Sequence, residues 1–236
     1  MTSSTLYRWP AAAEFGRVIP KTKFYERGSI TAAVREKFVT QVQRITWAYK
    51  LAEASIRLRG DDGVPEIQVF TVDAKDDDVA EDVLAAIDKA VRFPIIFEVN
   101  SGTGDQSRTR MVAAHKDLSA RSTRKGGYFT TAWLPADSPR VPLPPAIDLP
   151  GLYAQLLGPL LPYAMRPGES VSEASGRMEQ GRKLEREIAN LEKRLRVEPQ
   201  LNRKVDLRRE LRLRAADLAT LTDPAPPRTE EVTWTS

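Results

Sequence analysis

A leucine seam broken by a proline constrains this chain more than any other feature. Leu184, Ile188, Leu191 and Leu195 repeat at spacings of 4, 3 and 4 residues, the seam of a coiled coil. Pro199 cannot continue that helix, because its ring removes a backbone donor and clashes with the preceding turn, and it disfavours Glu198 as helical too. Leu207, Leu211, Leu218 and Leu221 form a second seam out of phase with the first. Two out-of-phase seams across one proline predict a helical hairpin or a kinked coiled-coil arm over residues 177–222. Each limb has only about two heptads, too short to hold itself in water. The arm therefore needs a covering surface, whether its own body, a second copy or another protein.

Upstream of the arm the patterning is that of a small mixed α/β body over residues 1–134. Its first thirty residues, punctuated by Pro10, Gly16, Pro20 and Gly28, read as an irregular lead-in. Val34, Phe38, Val42, Ile45 and Tyr49 predict a helix that starts from a Ser29 or Thr31 cap and runs to about Leu51. Glu66–Val72 alternates and is β-branched, so it reads as a strand. Val79–Arg92 has helical spacing and stops at Pro94, and Ile95–Val99 is the most apolar strand. Asn100–Asp105 is a hairpin loop leading to a strand over Arg108–Lys116, and Gly126-Gly127 opens a last strand over Tyr128–Leu134. A helix between the first two strands permits a parallel crossover, while the later strands are close enough to meander antiparallel.

Six prolines between Pro135 and Pro150 predict an extended strap. A short helix after Asp148 then returns to the body, because Leu152, Leu156, Leu157, Leu160 and Leu161 cannot stay wet; strap and helix together span 135–163. Residues 164–176 read as a hinge and 223–236 as a disordered tail. With 41% apolar and 29% charged residues the chain can bury a core. No apolar run is long enough for a membrane span, and the start of the chain has no signal-peptide pattern.

Zero Cys and a single His, His115, remove thiol chemistry, disulfides and multi-histidine metal sites, and point to a reducing cytoplasm. His115 itself reads as an exposed or partly packed strand-end residue rather than a general base. Ser101-Gly-Thr-Gly104 lacks the Lys-Ser/Thr and following helix of a phosphate loop, and is ordinary hairpin composition. The sharpest enzymatic alternative is a Mg²⁺-dependent nuclease, whose chemistry needs carboxylates on neighbouring strand ends beside a lysine. Glu66, Asp88, Glu98 and Lys116 are the set that stands in roughly that order, although Asp88 falls in the helical stretch, where it also reads as a solvated position, and Glu98 inside the apolar strand.

Charge is uneven. Residues 1–176 hold 22 Lys/Arg against 21 Asp/Glu, residues 177–218 hold 13 against 8, and the tail holds 1 against 3. The basic surplus thus lies in the arm. Arg182, Lys183, Arg186, Lys193, Arg194 and Arg196 stand before the break, interleaved with acids in pairs such as Glu192 with Arg196. Arg203, Lys204, Arg208, Arg209 and Arg212 are the least neutralised stretch, and are the candidate contact to DNA phosphates or a partner.

Several strings taken together carry a resemblance. They are Ile19-Pro-Lys21, Trp47-Ala-Tyr-Lys-Leu51, Glu66-Ile-Gln-Val-Phe70, Ile87-Asp88, Ile95-Ile-Phe97, the strand ending in Lys116, Tyr128-Phe-Thr-Thr-Ala-Trp133, and Glu198-x-Gln-x-Asn-Arg-Lys204. In this order the chain resembles the bacterial domain of unknown function 4391 family over nearly its whole length. It departs from the pattern at Pro199, which argues against a continuous helix there. The resemblance implies no catalytic residues. It does imply the company of DNA methyltransferases and superfamily 2 helicases in restriction and anti-phage clusters. The expectation is a non-enzymatic accessory subunit that binds a helicase or DNA methyltransferase, and DNA, through its arm. Self-association through the arm is a blander alternative.

Overall fold

The computed structural model describes residues 5–27, 30–119 and 124–224. In chain order the elements begin with strands β1 (Leu6–Arg8) and β2 (Glu14–Val18) and helices α1 (Thr22–Arg27) and α2 (Ala32–Gln41). Strand β3 (Val42–Leu51), the short helix α3 (Glu53–Ile56), strand β4 (Ile67–Ala74) and helix α4 (Glu81–Ala90) follow. Next come β5 (Ile95–Ser101), β6 (Arg108–Lys116), β7 (Arg124–Thr130), β8 (Leu134–Pro135) and β9 (Arg140–Pro142). Helices α5 (Leu149–Leu157), α6 (Val171–Val197) and α7 (Leu201–Thr222) complete the order. The chain divides into two compact units, Met1–Leu161 and Pro162–Ser236.

The first unit is built on a mixed sheet of order β2-β3-β4-β5-β6-β7, with β8 added to β6. Only β4 and β5 are parallel, and α4 makes the crossover between them. The other neighbours in that order run antiparallel. Period-two alternation gives the sheet two buried faces. Phe70, Val72, Phe97, Val99, Val112 and Ala114 face α2 and α4, whose Phe38, Val83, Leu84 and Ile87 share their core. The other face carries Val69, Ile96, Met111, Ala113 and Phe129. There α5 buries Leu149, Leu152, Leu156 and Leu157, and its Tyr153 stacks on His115.

Two expectations for the N-terminal part are corrected. The helix expected to run to Leu51 ends at Gln41, and Val42–Leu51 is the strand β3. Its residues suit both periods, but Val42, Ile45, Thr46, Trp47 and Tyr49 are β-branched or aromatic, and pairing with β2 and β4 on both edges decides for the strand. Thr31 caps α2 by accepting from the Val34 N–H, and Lys21 donates to the Val42 carbonyl just beyond its far end. Ser29 lies outside the described residues. The lead-in is not irregular either: β1 pairs in parallel with β9, Leu6 opposite Arg140, and β2 is an edge of the main sheet. Trp47 stacks on Phe70 and lies against the core. The last strand is also shifted: it ends at Thr130, and Leu134 pairs separately with β6.

A buried carboxylate ties the remote pieces of this unit together. Glu98 sits in the apolar strand β5, its side chain only 7% exposed. Trp9 donates to its Oε1 at 2.8 Å, and Arg140 reaches both oxygens, at 2.7 and 3.2 Å. The same guanidinium donates to the Tyr7 carbonyl at 2.8 Å. One carboxylate thus holds the strand before the first turn and the strap after the last sheet strand.

In the second unit Pro199 does break the helix, and α6 and α7 form the hairpin. A capping box starts α6, with Ser170 and Glu173 exchanging backbone hydrogen bonds. The helix therefore begins inside the 164–176 segment expected to be a hinge. Arg177 is its central tie: the guanidinium holds Glu169 at 2.7 Å through two nitrogens and donates to the carbonyls of Leu221 and Ala164. Arg166 donates to the Thr220 and Asp223 carbonyls, completing the end of α7. Most of the 223–236 tail lies outside the described residues.

Two outcomes follow. Arg140→Met leaves the Glu98 charge buried with one donor, and should cost about 2–4 kcal/mol in urea unfolding. In the hairpin, the Arg177 hydrogen bond holds the Glu169 carboxyl below its ordinary value of 4.5, against the opposing effect of burial. A depressed carboxylate stabilises fully above its unfolded value and loses that contribution as pH falls through the folded one. The difference in thermal midpoint between the wild type and Glu169→Gln should therefore be constant above about pH 5 and shrink below it. A gap that stays unchanged at low pH contradicts the assignment.

Candidate functional site

The four residues of the metal-nuclease alternative do not converge. Asp88 and Lys116 do meet: Lys116 Nζ lies 2.6 Å from Asp88 Oδ1, with both side chains 6% exposed. Tyr128 donates to the other Asp88 oxygen at 3.0 Å. The same ammonium also donates to the carbonyls of Asp88, Val91 and Phe93, at the C-terminal end of α4. A lysine has three N–H donors, so these acceptors already use them all. Asp88 is not a solvated helix position but half of a buried pair that fastens the crossover helix to β6. A cleft of about 690 Å³ between α2 and α4 reaches it, lined by apolar Ile30, Val34 and Ala86 together with charged Asp82, Lys89 and Arg92.

Glu66 is engaged elsewhere. Its Oε1 accepts from Gln68 at 2.5 Å and its Oε2 pairs with Lys50 at 2.9 Å. Glu98, flanked by Phe97 and Val99 of the α4 face, points to the opposite side of the sheet and is held by Trp9 and Arg140. Among the described residues no group of three or more His, Cys, Asp or Glu is placed to hold a metal ion. His115 is buried rather than exposed. Ser101-Gly-Thr-Gly104 joins β5 to β6 as a hairpin. Gly102 has φ +78°, and a Cβ there would stand 2.3 Å from the Gln106 carbonyl oxygen, so the turn itself demands the glycine.

In the hairpin, Arg214 of α7 pairs with Glu187 and Asp217, whereas the cations nearer the turn are not paired among the described residues. Arg203, Arg208, Arg209 and Arg212 are exposed and Lys204 is half-buried. Among the described residues no carboxylate lies within ion-pair distance of any of the five. The α6 cations are partly neutralised instead, through Lys183–Glu187 at 4.0 Å and Arg186–Glu179 at 3.7 Å. The expected Glu192–Arg196 pair does not form; both residues are exposed, where such a pair gains little over water.

The reason for the free cations lies in helix geometry. At about 100° per residue, Leu207, Leu211, Leu218 and Leu221 share one side of α7, the seam, on which Leu207 is buried. Asp206, Glu210 and Asp217 cluster on one flank of that seam. Lys204, Arg208, Arg212 and Arg209 occupy a sector of about 140° that begins on the opposite flank and contains no acid. Signs that alternate along the sequence are thus segregated around the helix. The same sector holds Leu201 and Val205, exposed by 71% and 54%. Reading the charges linearly missed this face, although the 3.6-residue period applied to 201–219 contains it.

In class, then, this is a mixed α/β protein whose body consumes its buried charges in folding and whose helical hairpin displays an acid-free basic face. It belongs to the family described as Domain of unknown function (DUF4391), which it matches over residues 8–218. No curated protein and no solved structure matches the chain. Among the described residues no helix is long and apolar enough to cross a membrane.

If the Asp88–Lys116 pair is a structural clasp, Lys116→Met should cost about 3–5 kcal/mol by stranding the carboxylate. Adding Asp88→Leu to that variant should recover part of the loss in urea unfolding, because the stranded charge disappears with it.

Proposed function

We propose that the protein is a non-enzymatic accessory subunit of a bacterial DNA-processing assembly of the restriction or anti-phage kind. Its helical hairpin is the docking arm, and its partner is a helicase or a DNA methyltransferase. The observation that supports this reading is the acid-free sector of α7, where Lys204, Arg208, Arg209 and Arg212 stand without ion-pair partners among the described residues. Unpaired cations on one helix face complement an anionic surface, and they gain more from it than cations already neutralised within the fold. DNA phosphates suit the same cations, so contact with DNA beside the partner belongs to the reading. The body supplies the scaffold: its buried carboxylates at Asp88 and Glu98 are bound by Lys116 and Arg140.

The test is retrieval of the tagged full-length chain from its native cells, before and after nuclease digestion, with the retained proteins identified. A helicase or methyltransferase should remain after digestion, and Arg208→Glu with Arg212→Glu should lower its recovery about tenfold. Undiminished recovery in that double variant overturns the role of the arm. DNA cleavage by the purified chain with Mg²⁺, lost in Glu98→Gln, would overturn the non-enzymatic reading.

A further inference from the structure

The acid-free sector of α7 is not only basic. Leu201, exposed by 71%, and Val205, exposed by 54%, lie among Lys204, Arg208 and Arg212, one turn apart from each other. Val197, the last residue of α6, is exposed by 74% on the near side of the hairpin turn. Toward the C-terminus the sector continues as Ala215, Ala216 and Ala219, whose small side chains let a second helix approach closely. The face is therefore apolar at its tip, cationic around that patch and small-surfaced beyond it. From Leu201 to Ala219 it extends about 27 Å, the length of a five-turn helix.

We propose that this face docks an acidic amphipathic helix of a partner protein, with apolar residues at i and i+4 spacing rimmed by Asp and Glu. The proposal rests on the reading of the hairpin as a docking arm and names the chemistry of its occupant. Charge complementarity selects that occupant. A phosphate backbone would satisfy Arg208, Arg209 and Arg212 but offers nothing to Leu201 and Val205, which it would leave in water. A second copy presents the same cations, so docking this face on itself would set Lys204, Arg208, Arg209 and Arg212 against their like. Only a helix that is both apolar and acidic answers both halves of the sector.

The experiment uses the full chain and three labelled probes read by fluorescence anisotropy. They are an 18-residue helical peptide with leucines at i and i+4 spacing rimmed by glutamates, its twin with lysines for glutamates, and a 20-base-pair duplex. The acidic peptide should bind and the lysine twin should not. Leu201→Gln with Val205→Gln, and separately Arg208→Glu with Arg212→Glu, should each weaken acidic-peptide binding at least tenfold. These positions are exposed, so the helical signal should not change in either variant. If the duplex binds, the acidic peptide does not, and Leu201→Gln with Val205→Gln leaves the duplex affinity unaltered, the occupant is nucleic acid; this inference then falls while the arm remains a docking surface. If none of the three probes binds, both the inference and the docking reading fall.

Discussion

An ionised group removed from water must be answered by a partner, and three such pairs organise this protein. Glu98, inside the most apolar strand, is met by Arg140 and Trp9, and this brings the strap and the N-terminal strand to one point of the sheet. Asp88 is met by Lys116, which also takes up carbonyls at the end of the crossover helix. Glu169 is met by Arg177, which also donates to the Leu221 carbonyl near the end of α7. An unpaired member of any of these would carry a desolvation cost comparable to a sizeable part of a domain's stability. The pairs are therefore specific joints: the first two connect segments far apart in the chain, and the third does so through the further bond from Arg177 to the Leu221 carbonyl.

That use of charge separates the two units in character. In the body, the carboxylates that stand in the order of a metal site are taken up individually by Lys50, Arg140 and Lys116. In the hairpin, two helices cover only one side of each other, and the outward side of α7 retains exposed cations and apolar side chains, the cations without an ion pair among the described residues. Folding uses the polar chemistry of the body, while the arm leaves part of its own on the outward side of α7. The proposed role follows from this division.

Much of the architecture was legible from local pattern. The strand over Glu66–Val72, the helix before Pro94, the strand ending in Lys116 and the break at Pro199 all appear close to where periodicity and proline placed them. The misreadings share a cause. Val42, Ile45 and Tyr49 satisfy a helical period, yet that stretch is a strand because β2 and β4 offer it hydrogen bonds on both edges. The three residues of β1 carry no periodic signal, and they become a strand only because β9 lies alongside. Carboxylates at Glu66, Asp88 and Glu98 looked alike in the sequence, but alternation along β5 and the position of α4 send them to different surroundings.

By itself, the sequence determined what depends on neighbouring residues: helix limits at prolines, alternating strands, a parallel crossover around α4, the leucine seams, and the concentration of basic charge in the arm. The tertiary structure alone decided which partner answers each buried charge, since Trp9 lies 89 residues from Glu98 and Lys116 lies 28 from Asp88. It also decided which cations stay unpaired, because carboxylates interleaved along α7 reach them only if they share a side of the helix. Periodicity is a property of adjacent residues and is written locally. Pairing is a property of the folded space between them, and only the fold supplies it.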